Sequence, residues 1–473
     1  MDIKSLVLTQ KYLDKYITIN GWINNSRIQS NIVFISITDG GCQKCLQIVI
    51  NLDREENDSG KDWKDSEKDK KQSMKLQQIT KGVSIKAYGI LIKSPAKGQL
   101  YELQMNLDDL EILGEVNAKE YPFAKKRHTL EHVRKFPHLR VRTNTISMVS
   151  RIRNTCSFAT HQFFQEKGFI NVQTPIITSN DCEGAGEAFV ISNSKDSNGN
   201  STSFFNKLCY LTVSGQLQAE SYALGLSKVY TFGPTFRAEK SNTSRHLSEF
   251  WMVEPEICFI SFEELMQLSE DYIKFCLEKV FDKNADDLDF INKFVSKGHK
   301  DKLHSILTTK FKRISYTEAV DILINDYNKK KPEYSEIKEW GEDLNSEQEK
   351  YLTSKFGTTV VYNYPKKIKS FYMKSNDDDE LQTVQAMDIL VPDIGELIGG
   401  SMREDDYDKL SLNMDERGIN KDSLSWYLDL RKYGTAPHGG FGLGFERLIM
   451  LITGISNIRD SIPYPRYPKN CQC

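Results

Sequence analysis

From Gly440 to Gly444 every second residue is glycine, and a mostly apolar run from Phe445 to Thr453 follows before Gly454. Alternating glycines strip the side chains from one face of a strand, so a ligand or another backbone can come close to that face. The run after them predicts a helix closed by Gly454. Arg447 falls in its first turn, where a cation opposes the partial positive charge of the helix N-terminus. An arginine in that place predicts a bound anion to offset it.

A second constraint lies upstream. Val229-Tyr-Thr-Phe-Gly-Pro-Thr-Phe-Arg237-Ala-Glu239, a polar loop to His246, and Leu247-Ser-Glu-Phe250-Trp-Met-Val-Glu254-Pro-Glu256 read as strand, loop, strand. Period-two geometry puts Arg237 and Glu239 on one face, and Phe250, Glu254 and Glu256 on one face of the returning strand. A guanidinium, a carboxylate and an aromatic ring can hold a phosphate, accept from an adenine amino group and stack on the base. The chain has no P-loop and no dinucleotide-binding glycine fingerprint, so nucleotide handling needs such a device. A third segment, Lys167-Gly-Phe-Ile-Asn-Val-Gln-Thr-Pro175, reads as a helix end, a strand and a proline.

The N-terminal part has another character. Ile17, Ile19 and Ile23 alternate with polar residues, as do Val33, Ile35 and Ile37, and Leu46, Ile48 and Ile50; further strands fall near 83–92 and 99–113. Five short strands in this length predict a small β-barrel of the OB type. A charged stretch at 53–78 interrupts it as an exposed insertion. If the aliphatic residues point inward, Phe34 and Gln47 point outward, an aromatic beside an amide suited to stacking on and reading a base. Lys125, Lys126, Arg127, Arg134, Lys135, Arg140 and Arg142 form a basic linker with only Glu131 against them. Beyond it helices and strands alternate. Ser261-x-x-Glu264 is a capping-box signature, and residues 282–360 read as lysine-rich, mostly helical and without chemistry.

At 473 residues the chain exceeds what one hydrophobic core organises. It has no apolar run long enough to span a bilayer and no leader-like N-terminus, which predicts a cytoplasmic protein without membrane attachment. Cys42-x-x-Cys45 has no second cysteine or histidine pair at zinc-site spacing and is read as structural.

In this order, the segments around Pro175, around Arg237 and Glu254, and from Gly440 to Gly454 resemble motifs 1, 2 and 3 of the class II aminoacyl-tRNA synthetases. With the N-terminal barrel and basic hinge, the resemblance covers essentially the whole chain and points to the aspartyl, asparaginyl and lysyl subgroup. Within it the sequence is similar to the bacterial asparaginyl enzymes, through Asp181-Cys-Glu-Gly-Ala-Gly-Glu187, Leu211-Thr-Val-Ser-Gly-Gln-Leu-Gln-Ala-Glu220 and the stretch from Met387 to Arg403. The insertion at 53–78 is longer than that family leads one to expect.

The resemblance implies an α+β protein: an OB-type anticodon-binding barrel over 1–113, a hinge over 114–142 and a catalytic domain over 143–473 with a mainly antiparallel sheet flanked by helices. It implies that L-asparagine is activated with ATP to the adenylate and then passed to the 3′-hydroxyl of tRNA(Asn). Arg237 and Arg447 carry the catalytic charge stabilisation in that scheme. Glu239, Arg245, His246, Phe250, Glu396 and Gly444 join them around ATP. Glu183, Ser214, Gln216, Glu220, Glu254 and Arg403 bind the amino acid, with Glu220 accepting from the amide. Phe34 and Gln47 read the anticodon, and Asp388 and Glu396 hold Mg2+. Motif 1 implies a homodimer. The alternative is an aspartyl or non-discriminating enzyme. Ala219, where aspartyl enzymes carry a lysine, argues against it.

Overall fold

The computed structural model describes residues 1–8, 10–52, 67–123, 126, 128–179, 188–191, 204–241, 243–330, 336–377 and 379–473. Alternation of aliphatic and polar residues builds the first unit. Strands β1 (Tyr16–Gln29), β2 (Ile32–Thr38), β3 (Leu46–Asn51), β4 (Ser84–Lys93) and β5 (Tyr101–Met105) pair in the order β1-β2-β3-β5-β4, and β4 pairs back to β1 to close the barrel. The stretch expected as one strand over 99–113 is two. A turn at Leu107–Asp109 breaks it, and β6 (Leu110–Gly114) lies outside the closed ring against β4. Val33, Ile35, Ile37, Ile48 and Ile50 are fully buried, each contributing about 1.5–3 kcal/mol by removal from water. The same alternation turns Phe34 and Gln47 out of the core, and the Arg27 guanidinium sits 4.6 Å from the Phe34 ring centroid.

Residues 53–66 of the charged insertion lie outside the described residues, while Glu67–Gln78 is a helix whose Leu76 packs on the barrel core. The basic linker is more structured than a solvated connector. Phe123, Val133 and Ile146 form a small core and Arg140 is buried, whereas Lys125 and Arg127 are outside the described residues. By contacts the chain divides into residues 1–151, with Cys473, and residues 152–472.

The dividing point falls inside helix α1 (Asn144–Glu166), which buries Ile152, Cys156, Ala159, Phe163 and Phe164 at helical spacing and stops before Gly168, whose φ is +81°. After it come β7 (Ile170–Asn171), a small sheet of β8 (Ile177–Thr178), β9 (Val190–Ile191) and β10 (Cys209–Leu211), and helix α2 (Gln216–Leu226). The hairpin is β11 (Lys228–Phe236) and β12 (Glu249–Cys258). Helix α3 (Phe262–Lys283) carries the expected reciprocal capping box at Ser261 and Glu264. The chain continues through β13 (Lys312–Ser315), helix α4 (Ser346–Phe356), β14 (Thr359–Pro365), β15 (Thr383–Val391), β16 (Gly395–Met402), helix α5 (Ser425–Lys432), β17 (His438–Gly444) and helix α6 (Phe445–Thr453). One eight-stranded sheet results, in the order β13-β14-β15-β16-β17-β12-β11-β7, parallel only at its two outer pairs. Its centre, β16-β17-β12, is where the glycine-alternating strand lies beside the charged hairpin.

Candidate active site

The close approach predicted from the glycines is real at Gly440, and what approaches is protein. A Cβ there would lie 2.3 Å from both the Glu256 Oε1 and the Pro255 carbonyl, so only glycine lets β17 sit against the carboxylate of its neighbour strand. Further along the same face, Gly442 and Gly444 line a cleft with Phe250 and Met252 of β12.

The cleft has two adjoining lobes. One, of about 720 Å³, is lined by Arg237, Glu239, Arg245, His246, Phe250, Glu396, Gly444 and Arg447, which is the whole set expected around the nucleotide. The other, of about 1020 Å³, is lined among others by Ser214, Gln216, Glu254, Glu256, Lys369, Asp388 and Arg403. Arg237 and Glu396 line both. A guanidinium shared by two adjoining polar lobes can hold an anionic group of one against a group bound in the other.

In the first lobe the Arg237 guanidinium lies 5.4 Å from the Phe250 ring centroid and His246 Nε2 3.9 Å from Glu239 Oε2. Burial lowers the His246 imidazole, leaving it neutral near pH 7. Arg447 is in the first turn of α6, as expected, and the anion that offsets it belongs to the protein: Nη1 donates to the Glu396 carbonyl at 2.8 Å and to its carboxylate at 3.3 Å. Behind it Glu446 is buried, accepting from the Trp251 N–H at 2.9 Å and pairing with Arg153 at 2.8 Å, which pins α6 to the hairpin.

Asp388 and Glu396 converge from β15 and β16. Their oxygens Oδ1 and Oε1 would lie 3.5 and 3.0 Å from a Cβ at Gly399. Each also meets a side-chain cation, Lys369 Nζ at 2.6 Å from Asp388 and Arg447 at 3.3 Å from Glu396. Burial raises the Asp388 carboxyl; burial works the same way on Glu396, but Arg447 and Lys369 hold that group below its ordinary range. Two carboxylates aimed at one point are the hard oxygen donors Mg2+ takes, so the residues fit that ion, although no cluster of three or more metal-ligating side chains occurs among the described residues. Residues 282–360 do contribute here. Glu349 of α4 accepts the Glu396 N–H at 3.2 Å, and burial with the Glu396 charge pushes its carboxyl up to about 7.

In the second lobe Glu254 accepts from the Ser214 hydroxyl and, at 3.0 Å, from the Gly215 N–H. Arg403 forks both oxygens of Glu256 through Nε and Nη2, and its Nη1 donates to Ser401 Oγ at 2.7 Å. Burial works to raise the Glu256 carboxyl against the pull of Arg403. Period-two alternation had already put Glu256 on the face of Glu254, yet Glu220 was expected to meet the amide. That expectation is corrected. Glu220 is fully buried and does not line the lobe; its carboxylate accepts from Gln216, Tyr427, Arg431 and His438. Burial works to raise it, but Arg431, His438 and Arg403 hold it well below the usual carboxylate range. Glu183 lies outside the described residues.

Residues 129–468 match the family model of tRNA synthetases class II (D, K and N). The chain belongs to that family. It is 48% identical to the asparagine–tRNA ligase of Borreliella burgdorferi over 98% of both chains, and 46% identical to that of Treponema denticola over 98% of both. Among solved structures, the asparaginyl-tRNA synthetase of Pyrococcus horikoshii complexed with asparaginyl-adenylate aligns with a TM-score of 0.83 at 30% identity, covering 100% of this chain and 99% of that one. The aspartyl-tRNA synthetase of Entamoeba histolytica shares the fold, with a TM-score of 0.75 at 21% identity.

Proposed function

We propose that this synthetase is an asparagine–tRNA ligase that forms asparaginyl-adenylate across the two lobes, with Arg237 at the reacting phosphate. The observation that carries this reading is the sharing of Arg237 between the lobes. ATP occupies the first lobe, adenine against Phe250 with Glu239 accepting from its amino group, and Arg447 on the γ-phosphate. Asparagine occupies the second. Its carboxylate attacks the α-phosphorus in line as the bond to pyrophosphate breaks, and Arg237 stabilises the charge that develops on the phosphoryl oxygens. The 3′-hydroxyl of the terminal adenosine of tRNA(Asn) then attacks the carbonyl carbon and AMP leaves.

Glu254 and Gln216 receive the α-ammonium. Arg403 donates to the amide oxygen and Glu256 accepts from the amide NH2, so aspartate would bring a carboxylate against Glu256. Asp388 and Glu396 are the residues that hold Mg2+, which when bound neutralises phosphate charge. Phe34 and Gln47 face the anticodon, motif 1 pairs two copies of the chain, and the compartment is the cytoplasm. No helix among the described residues is long and apolar enough to cross a membrane. Charging of tRNA(Asn) with labelled asparagine, dependent on ATP, tests the reading. A chain that charges no asparagine under those conditions contradicts it.

A further inference from the structure

Glu220 is a charged side chain with 0% exposure one shell behind the amino-acid lobe, and the reaction as described does not use it. Its contacts divide by oxygen. Oε2 accepts from Tyr427 Oη at 2.7 Å, Arg431 Nη2 at 2.9 Å and His438 Nε2 at 3.2 Å. Oε1 accepts from Gln216 Nε2 at 3.0 Å, with Arg403 Nε at 3.8 Å. Gln216 and Glu220 are four residues apart on α2 and so share a helix face.

An ionised carboxylate only accepts hydrogen bonds. The end of the Gln216 amide that meets Glu220 therefore has to be its NH2, and the carbonyl oxygen is the end left for the lobe that Gln216 lines. A glutamine alone could present either end. Glu220, held by three donors on its other oxygen, removes that choice.

We propose that Glu220 is a positioning residue that locks the Gln216 amide with its oxygen toward the lobe, where that oxygen accepts from the α-ammonium of the bound amino acid. This rests on the reading of the lobe as the amino-acid site. It also assigns Glu220 a task common to asparagine and aspartate.

The test exchanges the polarity of the pair. In Glu220→Gln the new amide must keep its oxygen toward Tyr427, Arg431 and His438. Its NH2 then faces Gln216, which turns over and offers a donor to the ammonium. Loss of a hydrogen bond to a charged group corresponds to a rise of about 10–100-fold in KM for asparagine in ATP–pyrophosphate exchange. The ratio of kcat/KM for asparagine over aspartate stays within about threefold of wild type, because both substrates carry the same ammonium. Combining Glu220→Gln with Gln216→Glu restores an acceptor on both sides and recovers at least about tenfold of the lost KM. A merely structural role lowers the melting temperature without that rescue. Should Glu220→Gln fail to fold, Gln216→Leu removes the same acceptor from the lobe side and raises KM equally. An unchanged KM in Glu220→Gln or Gln216→Leu, a rise that the double variant does not reverse, or a change confined to the asparagine-to-aspartate ratio overturns the inference. A wild-type chain with no asparagine-dependent exchange breaks instead the reading of the site on which it stands.

Discussion

Removing Arg403 separates what the Arg403–Glu256 pair does for stability from what it does for recognition. Arg403 is 2% exposed and Glu256 0%, and the guanidinium spans both carboxylate oxygens. Arg403→Leu leaves the carboxylate buried without its counter-ion, a loss of about 3–5 kcal/mol. Burial works to raise the Glu256 carboxyl even with Arg403 beside it, so without the guanidinium the carboxyl takes a proton near neutral pH, and the low end, ~3 kcal/mol, is expected. At roughly 2 °C per kcal/mol in a large domain, melting drops by about 6 °C. Adding Glu256→Met removes the stranded acid, so most of that stability returns, to within ~1 kcal/mol of wild type. Activity does not return. Each lost contact to the amide is worth about 1.5–3 kcal/mol, which places kcat/KM for asparagine in the double variant roughly 10²–10⁴-fold below wild type. Differential scanning fluorimetry and pyrophosphate exchange on the single and double variants read the two effects. A double variant as unstable as the sum of its singles, or one that regains asparagine activity, would rule out these roles for the Arg403–Glu256 pair.

Phe34→Ala removes a ring that faces out of the barrel, so charging of tRNA(Asn) weakens by ~1–3 kcal/mol while adenylate formation is untouched; equal loss in both half-reactions would place the ring in a structural role. Folded, the Glu349 carboxyl keeps its proton to about 7, whereas the unfolded group releases it near 4.5, so between those values the folded state binds more protons and stability falls as pH rises. With divalent ions chelated, Glu349→Gln therefore gains about 2–3 kcal/mol more at pH 8 than at pH 5, and a gain that is equal or larger at pH 5 contradicts this. Light scattering at micromolar concentration gives the mass of two chains if motif 1 pairs them, and a monomer mass rejects that arrangement.

The barrel was legible because period-two alternation states both the strand and its inward face, and the same rule placed Phe34 and Gln47. The break at Leu107–Asp109 was not, since the alternation on either side reads as one strand. Most of the first lobe was legible because Arg237, Glu239, Arg245 and His246 lie in the loop that joins the hairpin strands, Phe250 on the returning strand, and Gly444 and Arg447 at a strand-to-helix turn, whereas Glu396 comes from β16. The second lobe depends on contacts between segments far apart in sequence. Glu220 and Gln216 are close neighbours on a helix, but the donors that turn Glu220 away from the lobe come from Tyr427, Arg431 and His438, more than two hundred residues on. Lys369 sits in a lysine-rich run that reads as surface, and Glu349 on a helix with no local sign of chemistry. Neither carries a signal short of the fold. Glu256 did carry one, through its alternation with Glu254.

In the proposed reaction Glu256 and Arg403 choose asparagine over aspartate while Arg237 promotes adenylate formation. ATP–pyrophosphate exchange by the wild-type chain, with asparagine and aspartate compared at matched concentrations, tests both parts at once. The expected result is exchange with asparagine, and kcat/KM for asparagine exceeding that for aspartate by about 10³ or more. Comparable exchange with aspartate, or none with asparagine, would contradict it.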